Sequence, residues 1–188
     1  MVDDRRRALL VPVKSFSRAK LRLAGVLEPA ERAALARRLA TGVLAAGGSA
    51  DRHVACDDEE VARWAERHAA SVLWTPGLGL SGAVTEGVRR LSRSGFGHVI
   101  VAHADLPFAE DLDAFGEDGE VTLAPDRSLQ GTNVAALPPS SGFSFAYGVG
   151  SFGRHRKEAG RVGLGCRVVH DWRLAWDVDL PDDLALVH

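Results

Sequence analysis

His98-Val99-Ile100-Val101-Ala102-His103-Ala104-Asp105-Leu106-Pro107 begins as an apolar, β-branched run and ends in a carboxylate followed by proline. A continuous apolar run is the pattern of a strand buried on both faces, and proline cannot donate to a sheet ladder. The stretch predicts a central strand that delivers Asp105 at its C-terminal end. In open α/β sheets, ligands bind just beyond such ends. Spacing alone leaves Asp105 two readings, a functional carboxylate or a cap for the turn that follows.

Working outward, strand and helix patterns alternate on both sides. Ala8 to Val13 predicts a short buried strand, followed by Lys14 and a loop from Ser15 to Leu23 that carries Arg18, Lys20 and Arg22. Such a loop either neutralises phosphates or is simply solvated. Pro29 suits a helix N1 position; Leu35, Leu39, Val43 and Ala46 share one helical face, and Gly47-Gly48 ends the run. His53 to Cys56 and Ser71 to Trp74 predict two more strands. Between them Asp57 and Asp58 predict a helix cap rather than a metal site.

Gly79-Leu80-Ser81-Gly82 precedes an apolar stripe of Val84, Val88 and Leu91, so Ser81 is an expected N-cap in a turn able to cradle phosphate. Beyond the central strand, Asp111 to Phe115 predicts a short helical return and Val121 to Ala124 a strand. Gly131-Thr132-Asn133 then lead into a strand from Val134 to Leu137. Gly148-Val149-Gly150-Ser151 is a second glycine turn, with Ser151 the expected N-cap of a helix carrying Phe152, His155 and Ala159. It is either an anion site or a plain turn and cap. Cys166 to His170 predicts a late strand. In an extended segment Asp177 and Asp179 lie on one side, and Asp182 and Asp183 predict a cap for a last helix. With Asp105, the pair Asp177 and Asp179 would make an oxygen-rich set suited to Mg²⁺, or else a polar strand end.

The bulk numbers exclude several classes. A chain of 188 residues fits one domain, here expected to span 1–188. A net charge of −2 argues against a broad nucleic-acid or anionic-membrane footprint. Two distant cysteines, Cys56 and Cys166, suit a reducing cytoplasm, and the first apolar segment is too short for a signal or a membrane span. His103 is expected to be structural. His155 is expected one turn into its helix, toward an acceptor. The four tryptophans are expected to pack rather than stack on a base.

Taken in order, six stretches resemble the phosphoenolpyruvate or 2-phospho-L-lactate guanylyltransferases of coenzyme F-420 biosynthesis. They are Pro12-Val13-Lys14 with Ala19 to Leu23; Gly79-Leu80-Ser81-Gly82-Ala83; Ala104-Asp105-Leu106-Pro107; Asp126-Arg127 with Gly131-Thr132-Asn133; Phe145 to Phe152; and Asp177 to Leu184. No one motif decides, but their order spans nearly the whole chain. The family usually has Asn where Ser81 stands, so a paired amide donor and acceptor is replaced by a hydroxyl.

The resemblance implies an α/β fold, a nucleotidyltransferase-type, Rossmann-like three-layer sandwich with a mostly parallel mixed sheet. It implies that Asp105, Asp177 and Asp179 hold Mg²⁺, with Asp105, Lys14 and Lys20 catalytic. Pro12, Lys14, Lys20, Gly79 and Ser81 would bind GTP, and Thr132, Asn133, Gly148 and Ser151 the acceptor. The implied partners are GTP and phosphoenolpyruvate or 2-phospho-L-lactate, and the enzyme that next uses the unstable product. Two alternatives stand beside this reading: a nucleotidyltransferase for a different phosphorylated acceptor, and a non-catalytic nucleotide-binding homologue.

Overall fold

The computed structural model describes residues 3–187. Seven strands, β1 (Asp3–Pro12), β2 (Asp51–Cys56), β3 (Ser71–Trp74), β4 (Phe96–Ala102), β5 (Val121–Pro125), β6 (Thr132–Leu137) and β7 (Cys166–Val168), form one sheet in the order β3-β2-β1-β4-β6-β5-β7. Among the described residues four α-helices join them, α1 (Pro29–Ala45), α2 (Glu59–Arg67), α3 (Gly79–Arg93) and α4 (Ser151–Arg161), and the short α5 (Trp172–Ala175) follows β7. β1 pairs in parallel with β2 and β4, β2 with β3, and β5 with β7, whereas β6 runs antiparallel to both of its neighbours. Most of the parallel neighbours are linked through helices, because a parallel pair needs a long crossover. The β5–β6 turn is short and reverses the chain directly.

Alternation along the strands produces the three layers. Leu9 and Val11 of β1, Ile100 of β4 and Val134 of β6 pack under α1, α2 and α5. Ala8, Leu10, Val99, Val101 and Leu123 point the other way, to α3, α4 and the phenylalanines Phe143 and Phe145. Both faces are covered, which explains why the central strand reads as an unbroken apolar run. The expected mostly parallel α/β sandwich is the observed fold. Among the described residues no helix is long and apolar enough to cross a membrane.

The apolar stripe expected on α1 divides between two neighbours, and three expectations about local structure need correction. In α1 the sheet is met by Ala33, Ala36, Ala40 and Val43. Leu35 and Leu39 pack instead with Leu23 and Val178 in a separate cluster. Small residues let the helix approach the sheet closely, and the larger leucines receive the segment carrying Val178. The central strand stops at Ala102, so Asp105 stands in the turn beyond it. Thr132 and Asn133 belong to β6 rather than to a loop before it. Finally, neither Ser81 nor Ser151 is an N-cap: α3 begins at Gly79 after Leu78, and α4 begins at Ser151 after Gly150. Pro29 at N1 and the cap of α2 are as expected, although Asp58 alone makes that cap, accepting from the backbone of Glu60 and Val61.

Candidate active site

β1 and β4 end side by side, and the loops leaving them enclose a cavity of about 460 Å³ lined by Pro12, Lys14, Lys20, His103, Asp105 and Asp179 among others. Lys14 lies on its exposed lip. A small side pocket beside it is bounded by Pro12, Lys14, Asp57, Thr75 and Gly79. The expected strand-end location is therefore occupied by the first basic loop, the Asp105 turn and the start of α3.

Lys20 is the centre of the charged part. Its backbone is left-handed, at φ +54°. That conformation is costly for a residue with a Cβ and recurs where surroundings fix a side chain for a purpose. Here Nζ donates to Asp105 Oδ2 at 2.7 Å and to the carbonyl of Val178 at 2.6 Å, and lies 3.6 Å from Asp179 Oδ1. Arg22 pairs with the other oxygen of Asp179 at 2.7 Å. Burial pushes the Asp105 carboxyl up, but the Lys20 ammonium prevails and holds it below the usual carboxylate range. Asp105 Oδ1 is buried with no hydrogen-bond partner. At Asp177 burial first, then the charges of Asp105 and Asp179, outweigh the pull of Arg127 and push its carboxyl up to about 6.

Beside the cavity, where the ring of Tyr147 meets that of His103, stand β6, α4 and the Phe143–Gly150 segment. Thr132 is buried and its hydroxyl lies 3.0 Å from His155 Nδ1. His155 Nε2 accepts from the Ala146 N–H at 2.9 Å, so the proton is on Nδ1 and Thr132 Oγ1 is the acceptor. Burial, with Arg154 and His103 adding to it, pushes the His155 imidazole down to about 4. It is therefore a neutral strut. Ser151 Oγ accepts from the Thr132 N–H at 3.1 Å, and Asn133 Nδ2 donates to the carbonyls of Leu174 and Ala175. Gly148 and Gly150 have φ of +111° and +75°, which requires residues without a Cβ.

The residues expected to act thus fall into two groups. Pro12, Lys14, Lys20, Asp105 and Asp179 meet in the main cavity, and Gly79 borders the side pocket. Ser81 is turned instead to the Tyr147 segment, where its Oγ accepts from the Tyr147 N–H at 2.9 Å. Thr132, Ser151 and Asn133 bond to the protein itself, while Gly148 is exposed. Asp183, expected as a cap, accepts from the N–H groups of Asp179 and Leu180 and pairs with Arg127 at 2.8 Å, and so steadies the Asp177–Asp179 segment. His103 was expected to be only structural. It lines the cavity, with its ring 5.0 Å from that of Tyr147 and its Nε2 unpartnered. Its position just past the strand end was the available signal.

Which residues could hold a metal ion follows from this geometry. Among the described residues no three histidine, cysteine or carboxylate groups converge as a ready-made metal cage. An unpartnered buried oxygen on Asp105 and mutual repulsion among three aspartates nevertheless suit a hard cation. Mg²⁺ in particular is held by one or two carboxylates together with water and substrate phosphates.

Comparison with known proteins agrees with the architecture. A nucleotidyl transferase from Methanothermobacter thermautotrophicus superposes with a TM-score of 0.70 at 14% identity, covering 97% of this chain and 95% of that one, which shows the shared fold. A phosphoenolpyruvate guanylyltransferase of Sphaerobacter thermophilus is 40% identical over 185 residues, 93% of this chain and 89% of the relative. A 2-phospho-L-lactate guanylyltransferase of Halorubrum lacusprofundi is 38% identical over 193 residues, 96% of this chain and 84% of the relative. The family described as guanylyl transferase CofC like matches residues 7–188, nearly everything described above, and the chain belongs to that family.

Proposed function

We propose that this chain transfers GMP from GTP to phosphoenolpyruvate, releasing pyrophosphate, as a step of coenzyme F-420 biosynthesis. The observation that carries the reading is one cavity at the ends of β1 and β4 in which Lys14 and Lys20 gather with Asp105 and Asp179. The relative from Sphaerobacter thermophilus, named for phosphoenolpyruvate, supports that acceptor. The relative from Halorubrum lacusprofundi favours 2-phospho-L-lactate as the second reading. The two acceptors carry the same anionic groups.

An acceptor phosphate oxygen attacks the α-phosphorus of GTP, a new P–O–P bond forms, and the bond to the β-phosphate oxygen breaks in line. The nucleophile is already ionised near neutral pH, so no strong general base is needed. This suits a site whose buried imidazole, His155, is a neutral strut. The main barrier is gathering several anions in one place. Lys14 and Lys20 neutralise the triphosphate and the departing pyrophosphate, and the Gly148 backbone, braced from behind by Thr132 and Ser151, orients the acceptor. Mg²⁺, held by Asp105 with Asp177 and Asp179, would supply further charge neutralisation at the phosphate oxygens.

The product is a reactive phosphoanhydride, so the enzyme that consumes it is the expected partner. Free thiols at Cys56 and Cys166 suit a cytoplasmic setting. The test is pyrophosphate release from GTP with Mg²⁺ in the presence of phosphoenolpyruvate, 2-phospho-L-lactate or no acceptor. Release that depends on phosphoenolpyruvate is expected. GTP binding without acceptor-dependent release would instead indicate a different acceptor or a binding role.

A further inference from the structure

Arg154 occupies the first turn of α4 and makes an unusual set of bonds. Its Nε and Nη2 donate to the Ala146 carbonyl at 3.0 and 2.9 Å. Nη2 also reaches the carbonyls of Tyr147 and Gly148, at 3.4 and 3.3 Å, and Nη1 donates to that of Val149 at 2.7 Å. One guanidinium therefore gathers four consecutive carbonyls of the glycine loop. Its planar fork can do this, whereas an ammonium on a flexible stem cannot hold all four in one arrangement.

The consequence lies on the opposite side of each peptide plane. In a trans peptide the N–H points against the C=O of the preceding residue, and there are no cis bonds among the described residues. Turning the carbonyls of residues 146 to 149 toward Arg154 therefore turns the N–H groups of residues 147 to 150 away from it. The first of these is taken by Ser81 Oγ. Those of Gly148, Val149 and Gly150 have no acceptor among the described residues. Three successive N–H groups left open on one side of a loop form a concavity for an anion. The ring of Tyr147, in the same loop, rests on His103 of the main cavity.

We infer that Arg154 is a positioning residue for acceptor binding: it does not touch the acceptor, but holds the loop so that the N–H groups of Gly148, Val149 and Gly150 present together to an acceptor oxyanion. The inference rests on the guanylyltransferase reading. It assigns to Arg154 a role separable from its charge.

The test measures both Michaelis constants in Arg154→Ala and Arg154→Lys, with thermal midpoints and with guanidinium ion added back. The expected result is an acceptor KM raised about tenfold in both variants, the effect of a lost charge-assisted hydrogen bond or two. The KM for GTP and the thermal midpoint stay near wild type, and millimolar guanidinium restores the alanine variant. Failure of lysine to rescue separates fork geometry from charge. An acceptor KM within twofold of wild type in both variants overturns the inference, as does a parallel rise in both KM values with a fallen midpoint. If the alanine variant does not fold, the lysine variant decides alone. A wild-type enzyme with no acceptor-dependent release defeats the functional reading instead. Amide resonances of residues 148–150 then decide the role of Arg154, and resonances unmoved in Arg154→Lys overturn it.

Discussion

On the β1 side of the cleft the groups offered to a ligand are the tips of charged side chains, Lys14, Lys20 and Asp105. On the β6 side they are backbone N–H groups, held in place by other residues. Charge acts over several ångströms and tolerates some displacement, whereas a hydrogen bond weakens steeply once its angle is lost. The first side therefore needs few supports beyond the contacts of Lys20. The second needs a series of them: Arg154 on the loop carbonyls, His155 between Thr132 and Ala146, Ser151 on Thr132, and Ser81 on Tyr147. Substitutions on the β1 side should act on chemistry and charge. Those on the β6 side should act on acceptor affinity and on stability.

The largest effect should come from Asp105→Asn, which keeps the shape and removes the charge. Turnover should fall about a thousandfold with the fold intact, the scale of losing an electrostatic anchor in a desolvated site. Wild-type turnover in this variant at limiting Mg²⁺ would remove Asp105 from the chemistry. Lys20→Met should come next on stability. It leaves Asp105 and Asp179 without their shared ammonium, and as both are partly exposed, the cost should be about 2 kcal/mol in a denaturant titration. A midpoint unchanged from wild type would mean that the carboxylates reach water without Lys20.

On the β6 side, His155 gives stability a pH dependence. Its folded value near 4 lies below its ordinary 6.5, so the unfolded chain takes up a proton that the folded chain refuses. The stability is complete above about pH 6.5 and falls as pH drops from there toward 4, by about 3 kcal/mol in all. The comparison is unfolding of wild type and His155→Gln at pH 7 and pH 5. The variant should lose the part due to His155, while His53, His98 and His103, which burial also holds below the ordinary value, keep theirs; an equal slope in both would assign it all to those groups. The smallest effect should be that of Ser81→Ala, which frees the Tyr147 N–H. The acceptor KM should rise about threefold, for one neutral hydrogen bond, with the GTP KM little changed. The opposite split would return Ser81 to the nucleotide side.

These two walls were unequally legible. The central strand, its carboxylate and the basic loop could be read because burial on both faces and a charge at a strand end leave marks at fixed spacing. The meeting of Lys20 with Asp105 and Asp179 could not, since it joins residues 85 and more positions apart through one left-handed backbone. Ser151 looked like a cap because serine before a helix usually is one. The glycine ahead of it took that position and turned the hydroxyl inward to Thr132. Leu35 and Leu39 followed a helical period that was real, but periodicity does not say whether a stripe meets the sheet or another segment. Arg154 left no mark, because its partners are all backbone.

The reversed strand β6 has a consequence for the order in which the two walls can form. It returns directly from β5 through residues 126–131, so its pairing closes a short loop. β1 must instead find β4 across roughly ninety residues of chain, with Leu10 against Val101. Closing the longer loop costs more entropy before any contact repays it. The β5–β6 hairpin is thus the natural early piece of this molecule, and the strand ends that bear Lys14 and Asp105 come together late. Strand β6, with Thr132 at its start, is therefore in place before the charged side is assembled, and slow steps in refolding should delay the meeting of Lys20 with Asp105 more than the β5–β6 pairing.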